Sequence, residues 1–148
     1  MSRGGHSRAT ILWSDPGGEI RFYIRRRFDG HFVLTSSERA SDEQFELSAP
    51  AAETLEKHLF GLLGSDARSQ KGLPRLQLPT HLEAVATGFR ITDQDTHGFF
   101  SLTDTDELTI ASARGEYALV ELSHLVSNPL ADIMAAYEHP EGHPLFQV

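Results

Sequence analysis

The stretch EIRFYIRRRFDGHFVLTSSE, residues 19–38, constrains this chain more tightly than any other. Ile20, Phe22 and Ile24 alternate with Arg21, Tyr23 and Arg25, and a period of two puts the apolar set on one face of a strand. Asp29-Gly30 supplies the residues a tight turn needs, and HFVLTSSE reads as the returning strand. A hairpin with one apolar face must bury that face, so the remaining chain has to supply a covering layer.

The flanks extend the hairpin into a meander. ATILWSD at 9–15 reads as a strand stopped by the turn signal DPGG, and EQFELSA at 43–49 as a fourth strand with Phe45 and Leu47 aligned. A helix is predicted over APAAETLEKHLFGLLG, residues 49–64. Ser48 is its cap, Pro50 lies in its first turn, Leu55, Leu59 and Leu62 form one stripe, and Gly64 is its stop. KGLPRLQLP at 71–79 is a stiff connector: Gly72 permits a turn, Pro74 and Pro79 hold the path extended, and the leucines tether it. THLEAVA adds a helical turn. GFRITD, GFFSLTD, ELTIASA and EYALVEL read as a second run of short strands, and the chain closes with a capped helix, Asn128 before Pro129 and then LADIMAAYE.

The expected class is therefore α+β: a mainly antiparallel sheet of short strands in two meander-like runs, with one central and one C-terminal helix. Residues 1–8 are expected to form a loose arm and residues 9–148 a single domain, a usual size for one core.

Composition narrows the function. Hydrophobic residues at 39% and charged residues at 23% argue against disorder. No apolar run approaches the roughly 20 residues needed to span a bilayer. MSRGGHSRATILW lacks the apolar core of a signal peptide, so a cytoplasmic location is the default expectation. The absence of cysteine excludes disulfides and thiolate chemistry. A net charge of −8 disfavours nucleic acid and anionic membranes as partners and suits a cationic protein partner.

Motifs for catalysis are weak. DQDTHGFFSLTD, residues 93–104, spaces Asp93, Asp95, Gly98 and Asp104 like a calcium loop, but His97 stands where an oxygen donor is needed, so a hairpin turn explains it better. His139 and His143 have helical zinc spacing, but the prolines of HPEGHP forbid the helix. Ser123 and His124 are sequence neighbours and point apart, and no nucleophile elbow or phosphate loop is present. In Arg25-Arg26-Arg27, Arg26 points away from the other two, which dilutes a basic patch. A small metal-dependent hydrolase using His124, His139 and His143 is one alternative reading, and a generic interaction domain another.

Several segments, in order, resemble the immunity protein 61 family: WSDPGGEIRFYIRR, VLTSSERASDEQFEL, LEKHLFGLLG, KGLPRLQLP, GFRI, LVELSHLVS and YEHPEGHPLF. The resemblance implies an antitoxin that binds a secreted NAD(P) glycohydrolase toxin and blocks its NAD site. Such a protein has no catalytic residues, cofactor or small-molecule substrate of its own. It also implies a further segment before the first strand, for which MSRGGHSRAT is too short. An inhibitor of that kind must fill a cleft shaped for an anionic dinucleotide, which suits carboxylates on protruding turns. The candidate toxin-facing residues are Asp93 and Asp95, Asp104 and Asp106, and, from the 65–75 loop, Lys71 and Arg75. Arg75 is either a partner-facing anchor or an internal pin for its own loop.

Overall fold

The computed structural model describes residues 10–14, 20–38, 42–76, 78–79, 82–143 and 145. Among them, seven strands form one antiparallel sheet in the order β1-β2-β3-β4-β7-β6-β5. The first run comprises β1 (Thr10–Ser14), β2 (Ile20–Arg26), β3 (Phe32–Glu38) and β4 (Gln44–Ala49). The second comprises β5 (Arg90–Ile91), β6 (Phe100–Thr103) and β7 (Thr109–Ala113), and it joins the first through Ser48 opposite Ser112. The DPGG segment lies outside the described residues.

The opening hairpin forms as its alternation dictates. Phe22 pairs with Ser36 and Ile24 with Leu34; Phe22 is buried and Ile20 and Ile24 pack on the core. Gly30 takes φ +88°, which a side chain would resist. Among the described residues, α1 (Ala52–Gln70) covers β3 and β4, α2 (Glu116–Ser123) covers β5, β6 and β7, and α3 (Leu130–Glu138) packs against α1. Leu34, Leu47, Leu55, Leu102, Leu119 and Leu122 have no exposure, and each such side chain contributes about 1.5–3 kcal/mol through burial.

Several expectations change. EYALVEL is a helix, not a strand: Leu119, Leu122 and Leu125 are buried at a spacing of three, a helical period hidden inside a continuous apolar run. Helix α1 begins at Ala52 with no side-chain cap, because Ser48 is still in β4. It also runs past Gly64, which is bare because a Cβ there would stand 2.5 Å from Cγ of Tyr137 on α3. The helix stops instead at a Schellman turn: the N–H of Gly72 donates to Ser69 O and that of Leu73 to Arg68 O, with Gly72 at φ +71°. Leu55 and Leu59 join the core, whereas Leu62 is 39% exposed. The register of β3 and β4 shifts between Leu34 and Thr35, so Leu47 faces Leu34 while Phe45 pairs with Thr35 on the opposite face. Asn128 does not cap α3; its side chain donates to His124 O, at the end of α2.

Candidate functional site

The acidic candidates occupy two hairpin turns at opposite ends of β6. Asp93 and Asp95 lie between β5 and β6, and Asp104 and Asp106 between β6 and β7. The calcium-like spacing is thus crossed by a strand, and its carboxylates do not converge. Each turn is built by one aspartate. Asp95 Oδ1 accepts from the N–H groups of His97 and Phe99 at 2.8 and 2.9 Å, and Asp104 Oδ1 from those of Asp106 and Leu108 at 2.8 and 3.0 Å. The bond from Phe99 is the main cause holding the Asp95 carboxyl below its ordinary range. Asp29 shapes the β2–β3 turn in the same way, accepting from His31 N–H at 2.9 Å. Asp93 and Asp106 are exposed, with carboxylates that bond no other described residue.

The consecutive arginines 25–27, at the end of β2 and just past it, find separate partners. Arg25 forms a forked pair with Glu43, one arm at 2.7 Å, Arg26 lies over Phe32, and Arg27 bonds Asp29. The hydrogen bond from Arg25 is the main cause lowering the Glu43 carboxyl. Beside this pair, on the outer face, Phe45 meets Phe99 edge-on at 5.1 Å, and the Arg114 guanidinium lies 4.6 Å from the Phe99 ring.

The connector after α1 is pinned, but not by Arg75. Arg68, 2% exposed, donates to the carbonyls of Pro74, Tyr137, His139 and Pro140 at 2.5–3.1 Å. It therefore ties the connector to the C-terminal segment. Leu76 enters the core and Leu78 packs against it. Lys71 is exposed at the end of α1. Sequence reading missed Arg68 because it placed the helix end at Gly64. Its signal was the row His58, Gly61, Ser65, Arg68, which follows helical spacing once α1 continues.

With that task filled by Arg68, Arg75 is exposed and bonds no other described residue. It lines a cleft of about 420 Å³ bounded by α1, the connector, α2 and α3. Leu62, Leu76, Leu78 and Leu125 supply apolar walls, and Glu121 faces in beside Arg75. Burial pushes the Glu121 carboxyl up, and the charge of Arg75 partly offsets this. Tyr137 and Ser65 share a hydrogen bond in the cleft. His58, 9% exposed, also lines it, and burial pushes its imidazole down to about 4.

His124, His139, His143 and Ser123 make local contacts. His124 Nε2 lies 2.7 Å from Ala84 O, while Ser123 Oγ donates to Val120 O and accepts from Ala86 N–H. The rings of His139 and His143 are 5.1 Å apart, and His139 Nδ1 accepts from Glu141 N–H. Among the described residues no three histidines and carboxylates are placed to hold a metal ion.

The architecture is that of a small α+β protein with acidic turns and a mixed cleft beside Arg75, and comparison with known proteins gives its class. The family model of Immunity protein 61 matches residues 2–145. The chain is similar to the protein named Immunity factor for TNT in Mycobacterium tuberculosis, with 35% identity over 138 residues, 93% of this chain and 77% of that protein. A homolog in Mycobacterium bovis BCG matches to the same extent. The solved structure of Rv3902c from M. tuberculosis superimposes with a TM-score of 0.83 at 34% identity, covering 95% of this chain and 80% of that one. The chain belongs to the immunity protein 61 family, and its role is that of an immunity protein.

Proposed function

We propose that this protein binds a cognate toxin of the kind its relatives are named for, an NAD(P) glycohydrolase, and blocks the toxin's NAD site in the cytoplasm of the producing cell. It performs no chemistry itself and uses no cofactor, nucleic acid or membrane. The family match across residues 2–145, with relatives named as immunity factors for TNT, carries this reading. The net charge of −8 supports it, because a cleft that holds dinucleotide phosphates presents positive groups to its inhibitor.

Of the acidic candidates, Asp93 and Asp106 have free carboxylates to offer the toxin, whereas the carboxylates of Asp95 and Asp104 are spent on backbone N–H groups of their own turns. Arg75, relieved of pinning the loop by Arg68, takes the anchor role, with Lys71 at the same helix end. Mixing the protein in stoichiometric excess with its toxin should arrest NAD cleavage. Cleavage at an undiminished rate would end this reading. Charge reversal at Asp93 and Asp106 together should weaken inhibition and slow association, most strongly at low salt.

A further inference from the structure

The cleft beside Arg75 contains a contradiction. His58 is buried in its wall, yet its imidazole bonds no other described residue. Buried polar groups are nearly always paired, and an unpaired one in a formed cleft marks a place for an outside partner.

The other groups state what that partner must be. Arg75 and Glu121 carry opposite charges that act on each other, so the rim is neutral overall. His58 is neutral as well, because burial disfavours its charged form. Tyr137 and Ser65 already satisfy each other. An occupant with net charge would leave one rim group opposed, so the occupant is neutral. The leucine walls require an apolar body, and the one imidazole left over requires a single hydrogen-bonding tip.

Resting on the proposed function, we infer that this cleft receives an aromatic side chain with a polar tip, of the tyrosine type, presented by the toxin. The ring lies among Leu62, Leu76, Leu78 and Leu125, the tip bonds His58, and the Arg75 guanidinium covers the ring face at the mouth. Aromatic residues with a polar tip dominate the energetic centres of protein interfaces because they combine apolar area with one directional bond. Arg75 would then be a toxin anchor through a ring, not through a carboxylate.

Two measurements test this. First, 4-methylphenol titrated into the wild-type protein should move the ring signals of His58 in ¹H–¹⁵N spectra. Toluene, which lacks the hydroxyl, should bind about tenfold more weakly. Second, His58→Leu should raise the toxin Kd about tenfold or more without lowering Tm. Leu62→Trp, which seals the mouth from a rim position, should do likewise if His58→Leu fails to fold. Silence of His58 toward 4-methylphenol, or folded variants that bind the toxin as wild type does, would overturn the inference while leaving the antitoxin reading intact. Failure of the wild-type protein itself to bind the toxin would sink both.

Discussion

Arg68 and His58 lie on one face of the same helix, both buried, and they have opposite fates. Arg68 directs its planar fork at four backbone carbonyls from the connector and the C-terminal segment. His58 faces a cleft and bonds no other described residue. The difference separates two uses of buried polarity. A satisfied group locks chain segments that lie far apart in sequence, whereas an unsatisfied one costs stability that a binding partner can restore.

The first way to break the comparison is to remove the lock. Arg68→Ala should destabilise the protein by about 3–5 kcal/mol, since four carbonyls lose a charged donor. Arg68→Lys should recover only part, because a point charge cannot match the fork. Chemical denaturation of the two variants checks both statements. Equal stability of Arg68→Ala and wild type would refute the lock.

The second is to follow His58 with pH. Its folded value of about 4 lies below the ordinary 6.5, so the folded state binds fewer protons there than the unfolded chain does. The penalty is absent above about pH 6.5, grows as pH falls to about 4, and then levels off near 3 kcal/mol. His58→Leu should remove it, so the stability gap between variant and wild type should widen through that window. A gap that stays constant with pH would mean His58 is not buried unpaired.

Gly64 tests the packing that joins the two residues' surroundings. Alanine is the better helix former, but its Cβ would collide with the Tyr137 ring, so Gly64→Ala should lose about 1–3 kcal/mol by thermal or chemical denaturation. The smallest effect is at Glu107, which adopts φ +61° in the β6–β7 turn. Glu107→Gly should gain about 0.5–1 kcal/mol there, since its 3.9 Å contact with Arg90 is exposed and contributes little.

What could be read from the chain divides along the same physical line. The β2–β3 hairpin was legible because alternation and Asp29-Gly30 are local signals. The two meanders and the existence of α1 and α3 were legible for the same reason. The bulge that turns Phe45 away from Leu47 left no local mark, and α2 hid its period within the apolar run YALV. Gly64 looked like a helix end because its reason for being glycine, the Tyr137 ring, is supplied by another helix. Arg75 stands out on the stiff connector KGLPRLQLP, but the pin is Arg68, whose carbonyl partners include Tyr137, His139 and Pro140. No pattern within α1 alone could pair those residues. At the candidate site, the turn aspartates were visible as residues, but their division into turn-builders and free carboxylates required the backbone geometry.

The most direct test of the account is the NAD content of cells that express the cognate toxin together with this protein. With the wild-type chain present, NAD should stay at the level of toxin-free cells, and His58→Leu should shift protection to higher expression. Collapse of the NAD pool despite abundant, folded wild-type protein would contradict the account.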